Sequence, residues 1–114
     1  MAKFIMMTRL SHDTLKSPQS LQHLSHEVME HIRKECPEVE WKQSFVLLGP
    51  ADYLDIFEAP DIESATKVAA VIRTYGHANT EVWGATEWDE FVSLVSPMSK
   101  AKSKTASGTR TPSA

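Results

Sequence analysis

Four polar residues stand near the ends of extended stretches: Arg9, Asp52, His77 and Thr80. Arginine can clamp an anion or a carbonyl oxygen, and aspartate can take and release a proton. Histidine adds a ring that titrates near neutrality, and threonine adds a hydroxyl. Gathered at one mouth of a small barrel, such groups can orient a ligand. The structural alternative is an Arg9–Asp52 ion pair, or a turn bond from Asp52 to nearby backbone. His23, His26 and His31 raise a metal reading. His26-Glu27 with His31 approaches a zinc-protease helix motif, which needs its second histidine at i+4; here it stands at i+5. His23 and His26 lack a marked third ligand, so all three read as solvated helix surface and no metal is assigned. Cys36 has Lys34 nearby but no placed base, the usual condition of an inert thiol. Glu58, just before Pro60, reads as a solvated strand end. No phosphate loop, nucleophile elbow or pair of catalytic carboxylates is present, and no cofactor is assigned.

The elements that must position these residues follow from periodicity and breakers. Residues 3–9, KFIMMTR, predict a strand. Ser17-Pro18 predicts a helix start, and Leu21, Leu24, Val28 and Ile32 form one apolar stripe up to Cys36-Pro37. Residues 39–48 predict a second strand, with Trp41, Phe45 and Leu47 on one face. Gly49-Pro50-Ala51-Asp52 is a turn, and residues 53–59 form a third strand that ends before Pro60. Asp61 caps a second helix whose inner face is Ala65, Val68, Ala69 and Ile72; Gly76 stands at the C′ position. Residues 78–85 predict a fourth strand. Thr86 and Asp89 resemble a capping box that opens a short helix with an apolar face of Trp88, Phe91, Val92 and Val95.

The order β-α-β-β-α-β with an extra C-terminal helix predicts an α+β, ferredoxin-like fold. Right-handed crossovers put two helices on one face of a four-stranded antiparallel sheet, with the first and third strands as central neighbours. Arg9, Asp52, His77, Asn79 and Thr80 then meet at one edge. On the third strand Leu54 and Ile56 are expected toward the helices, so Tyr53, Asp55 and Phe57 face away. Trp41, Phe45, Tyr53, Phe57 and Trp83 would thus lie on the open face, too much aromatic surface to leave in water. The expected cover is a second copy, giving an isologous homodimer or a higher homo-oligomer.

These residues resemble a known family. The first strand ending in Thr8-Arg9-Leu10, Lys16-Ser17-Pro18, the stretch from Gly49 to Asp61 and the stretch from Gly76 to Thr80 are similar to the GYD family, small members of the dimeric α+β barrel group. The resemblance spans roughly residues 3–91 and implies the ferredoxin-like fold with sheet-to-sheet dimerisation. Where the family is named for Gly-Tyr-Asp, this chain has Ala51 before Asp52 and Tyr53 after it. The resemblance implies no particular reaction.

Composition bounds the partners. The 114 residues predict one domain over 1–97 and a disordered basic tail over 98–114 that is poor in apolar side chains. Lys100, Lys102, Lys104 and Arg110 hold all the charge after Pro97, so residues 1–97 carry −7 against −3 for the whole chain. Such an acidic body is a poor partner for nucleic acid. No apolar run is long enough to span a membrane or to serve as a signal peptide, and the single cysteine excludes an internal disulfide; a cytoplasmic location is expected. Two functional readings remain open. One is a small-ligand-binding or assembly module without catalysis. The other is a cofactor-independent oxygenase or isomerase of the dimeric α+β barrel kind, with haem binding through His77 as a further branch.

Overall fold

β1 (Ala2–Leu10) can take the middle of a sheet because apolar side chains occupy both of its faces. Phe4, Met6 and Thr8 are buried on one side, while Ile5 and Met7 are half-buried on the other. In the computed structural model, which describes residues 1–11, 17–76 and 78–98, six further elements surround it. They are α1 (Pro18–Glu35), β2 (Glu40–Val46), β3 (Tyr53–Ala59), α2 (Ile62–Tyr75), β4 (Ala78–Ala85) and α3 (Trp88–Val95). The sheet order is β2-β3-β1-β4 and every neighbouring pair is antiparallel. The fold is therefore α+β with ferredoxin-like order, as expected. His77, Lys16 and the tail beyond Met98 lie outside the described residues.

The helix starts are encoded locally. Ser17 Oγ accepts the Ser20 N–H at 3.1 Å, and Pro18 follows in the first turn, where a missing N–H costs nothing. Asp61 Oδ1 accepts the Ser64 N–H at 2.8 Å. That bond to the ionised form holds the Asp61 carboxyl below its usual range. Gly76 ends α2 with right-handed backbone rather than the left-handed form expected of a C′ glycine. Its role is close approach: a Cβ there would sit 2.6 Å from the Ile72 carbonyl oxygen and 3.5 Å from Val28. Gly49 is the position that needs glycine's freedom, with φ at 124°.

The core lies between the sheet and the two packed helices. Phe4, Met6, Phe57 and Ala59 from the sheet meet Val28 and Ile32 of α1 and Ala65, Val68, Val71 and Ile72 of α2. This reverses the expected faces of β3. Phe57 is 0% exposed within the core, so Tyr53, Asp55 and Phe57 face the helices, while Leu54, Ile56 and Glu58 lie on the open side. Trp41 also belongs to the helix side, although Phe45 does not. The physical reason is a bulge: the β2–β3 register shifts between Trp41 and Gln43, pairing Trp41 with Phe57 but Gln43 with Ile56. One extra residue in an edge strand flips the parity of all that follows.

α3 departs from its expected start. Glu87, not Thr86, takes the N-cap position, and no side chain caps the helix. Trp88, Phe91, Val92 and Val95 form the expected apolar face, yet no residue of α3 is buried. Trp88 and Phe91 pack on one another with ring centroids 5.1 Å apart. Among the described residues, no helix is long and apolar enough to cross a membrane.

Candidate functional site: a cavity between α1 and the sheet

The first half of α1 stands off the sheet. Leu21 and Leu24 are only partly buried, whereas Val28 and Ile32 further along the same stripe are buried. The space between is a cavity of about 390 Å³. Leu10, Leu24, Val28, Met29 and Ile72 supply much of its apolar wall. Trp41 lines it and continues into the core as an aromatic row: Phe57 stacks on Trp41 at 5.2 Å, and Phe4 stacks on Phe57 at 5.5 Å. The row exists because Phe4, Phe57 and Trp41 occupy one rung across β1, β3 and the bulged β2.

One carboxylate interrupts this apolar surface. Asp55 lies on the helix face of β3 between Tyr53 and Phe57, opposite Ser44 on β2 and Met6 on β1. The Trp41 Nε1–H is shared between Ser44 Oγ at 2.9 Å and Asp55 Oδ1 at 3.3 Å. Burial pushes the Asp55 carboxyl above its ordinary range; hydrogen bonds from Ser44 and Trp41 to the ionised form oppose that rise in part. Burial, with the charges of Asp52 and Asp55, also raises the Tyr53 phenol. The arrangement can therefore hold a proton-sensitive acceptor in an apolar pocket. Thr8 adds a hydroxyl at the inner wall. Thr80 Oγ1 donates to the Met7 carbonyl at 3.1 Å, so Thr8 donates to Thr80 Oγ1 at 3.1 Å.

The residues expected from sequence to gather at one edge are placed differently. Asp52 Oδ2 accepts the Leu10 N–H at 2.8 Å, and the Asp52 N–H donates to the Thr8 carbonyl at 2.8 Å. Asp52 is thus a clasp that ties the β2–β3 turn to the end of β1. Arg9 is exposed on the opposite, open face, across from Asn79. Among the described residues, no ion pair joins Arg9 to Asp52. Thr80 is buried, and its carbonyl accepts from Arg73 at 2.7 Å. Arg9 and Thr80 do share a second hollow of about 260 Å³ beside Pro50 and Ala51. His77 lies outside the described residues. Of the five aromatic residues expected on the open face, Phe45 and Trp83 are there, 45% and 52% exposed. Trp41 and Tyr53 line the cavity instead, and Phe57 is sealed in the core.

Asp55 was missed as a site residue, and one signal could have found it. It is the single acidic residue within YLDIF, a segment that is otherwise aromatic or aliphatic, and its two same-face neighbours are both aromatic. The other candidates have structural partners. His23 meets Glu27 at 3.2 Å, and His31 stacks on Tyr75. Cys36 is buried, and that burial raises its thiol pKa, away from nucleophilic use. Among the described residues, no three histidine, cysteine or acidic side chains converge as a metal site would require.

Comparison with known proteins adds the family. The crystal structure of At3g17210 from Arabidopsis thaliana is similar at 8% identity, covering 76% of this chain and 95% of that one, with a TM-score of 0.49. No curated protein matched as a relative. The family model for the GYD domain matches residues 4–95, from the second residue of β1's core face to the end of α3. With the match running through every strand and helix, this chain belongs to the GYD domain family.

Proposed function

We propose that this protein is a cytoplasmic, homodimeric small-ligand-binding module whose ligand occupies the cavity between α1 and the sheet. The observation that carries the reading is the cavity itself. Its volume of about 390 Å³ falls in the range of pockets that enclose small organic molecules. Its wall is mainly apolar; Asp55, Ser44, Trp41 and Thr8 on the sheet side, with Tyr53, Gln22 and Ser25, are the polar groups that would fix an orientation. Dimerisation is supported by the open sheet face, where Ile5, Met7, Phe45, Leu54, Ile56 and Trp83 lie together uncovered by any helix. The cavity opens on the other side of the sheet, so a sheet-to-sheet dimer leaves it accessible.

A second reading has its own observation. Asp55, lifted above the usual carboxylate range by burial, could serve as the proton acceptor of a cofactor-independent oxygenase or isomerase. Native mass spectrometry of freshly purified protein tests the main reading, because it reports the dimer and any retained ligand together. Retention in wild type and its loss in Leu24→Trp, which fills the cavity, is the expected result. A monomer that retains nothing, and whose melting temperature no small molecule raises, would remove the reading.

A further inference from the structure

We propose that the cavity selects hydrophobic amines, binding the ligand's ammonium group at Asp55 and its hydrocarbon body against the α1 wall. This inference rests on the cavity being the ligand site and adds the chemical class.

Three observations on the site converge. First, the carboxylate retains acceptor capacity. A carboxylate offers about four lone-pair sites. Trp41 Nε1 reaches Oδ1 at a long 3.3 Å while making its shorter bond, 2.9 Å, to Ser44. The Ser44 hydroxyl is the other donor, and two donors leave acceptor positions free on a carboxylate that lines the cavity. Among the described residues lining the cavity there is no lysine, arginine or histidine, so none of them neutralises Asp55 there. A partly buried charge without a counter-charge is costly, and a ligand that brings the counter-charge removes that cost.

Second, the walls suit a cation. Tyr53 adjoins Asp55 on the same face of β3, and Trp41 lies diagonally across on β2; both line the cavity. Aromatic faces attract ammonium groups, most strongly where water is excluded. A carboxylate set among aromatic rings offers charge pairing and ring faces to the same group. An anionic ligand would meet Asp55 with nothing to balance it. A neutral alcohol could donate one hydrogen bond but would leave the charge unpaired.

Third, the charge of the whole body agrees. Residues 1–97 carry −7, and a field of that sign concentrates cations near the surface. The apolar wall from Leu10, Leu24, Val28, Met29 and Ile72 then requires that the cation carry a hydrocarbon body, which excludes small hydrophilic amines.

The test uses the full chain and three probes with one carbon skeleton: 4-phenylbutylamine, 4-phenylbutanol and 4-phenylbutanoate, titrated by calorimetry in mildly alkaline, low-salt buffer. The amine should bind at least about tenfold tighter than the alcohol, the margin a charge-assisted bond supplies. The carboxylate should bind weakest. In Asp55→Asn the amine's advantage should fall to about twofold or less while the alcohol still binds. Should that variant fail to fold, wild-type protein carrying 13C-labelled aspartate gives an independent readout. The Asp55 carboxyl resonance should move markedly further on adding the amine than on adding the alcohol. Alcohol or carboxylate binding as tightly as the amine would overturn the amine class and leave the cavity reading standing. Binding of none of the three, or equal binding to Leu24→Trp, would overturn both.

Discussion

The two faces of the sheet are built from the same strands and solve different problems. The helix face carries Phe4, Met6, Phe57 and Ala59 under α1 and α2, and these four side chains are all but sealed from water. The open face carries Ile5, Met7, Leu54 and Ile56, half-buried by their neighbours alone, with Phe45 and Trp83 more exposed at its flanks. The helix face admits a cavity only where α1 lifts away, and it places one carboxylate there. The open face has charge at its margins instead, with Lys3 beside Glu58 and Arg9 near the turn. A proposed ligand site needs a concave apolar wall with a charge held beside it, which is the first face. Assembly needs a broad apolar surface with a polar rim, which is the second.

The largest effect that sharpens this contrast is a pair of truncations. Phe57→Ala removes a fully buried ring that stacks with both Phe4 and Trp41, and should cost about 3–5 kcal/mol in chemical denaturation. Leu54→Ala, one strand position from Asp55 but on the open face, should cost about 1–2 kcal/mol in dilute protein. In concentrated protein the Leu54 loss should grow if the proposed assembly through the open face contributes to stability, while the Phe57 loss should not. Equal losses at both sites, independent of concentration, would erase the distinction between the faces.

That distinction was only partly legible in the sequence. Element order, the Ser17 and Asp61 caps and the helix stripes were readable, because each rests on a short pattern of residue types. Face assignment was not. Strict alternation puts Trp41 with Phe45, and a single extra residue near Lys42 separates them. A bulge leaves no reliable mark in the local composition of EWKQSF, since edge strands tolerate polar residues on either face. The choice of Leu54 and Ile56 as the inward pair failed for a related reason. Both registers of YLDIFEA offer large apolar side chains, and the inward set includes a charge that ordinary burial rules would send outward. The site followed the faces: with Asp55 assigned to the wrong side, Arg9 and Asp52 were the most prominent polar residues left. α3 was legible as amphipathic, but no pattern told that its apolar side would not be buried among the described residues.

The next prediction addresses the open face directly. Trp83→Glu places a charge among Ile5, Phe45, Leu54 and Ile56, and should shift the protein from dimer to monomer in analytical ultracentrifugation. Thermal stability of the monomer should change by no more than about 1 kcal/mol, since Trp83 is already half in water. An unchanged sedimentation coefficient would assign the apolar face some other role.

A smaller effect tests the charge held by the helix face. Because burial raises the Asp55 pKa in the folded state, the folded protein holds that proton to higher pH than the unfolded chain does. The resulting stabilisation is full below the unfolded value and is lost as pH rises through the folded one. Asp55→Asn should flatten that decline across mildly acidic pH. Near neutrality it should leave the melting temperature unchanged or raise it by a few degrees, roughly what relief of about 1 kcal/mol or less would give. A steep loss of stability at neutral pH in this variant would mean that the Trp41 and Ser44 bonds outweigh the desolvation.

The smallest expected effect is the coupling between the two residues that sequence brings together and the fold sets apart. Asp52 acts through backbone: it accepts the Leu10 N–H at 2.8 Å and so joins the β2–β3 turn to β1. Asp52→Ala leaves that donor without its partner and should cost about 1–2 kcal/mol. Arg9 points to the other side of the sheet, is exposed, and should cost within about 0.5 kcal/mol when changed to alanine. Residues that share no partner behave additively, so the double variant should equal the two single losses to within about 0.5 kcal/mol. Thermal unfolding of wild type, the two single variants and the double variant measures this coupling. An interaction above about 1 kcal/mol would place an Arg9–Asp52 ion pair in solution, across the edge that separates the two faces.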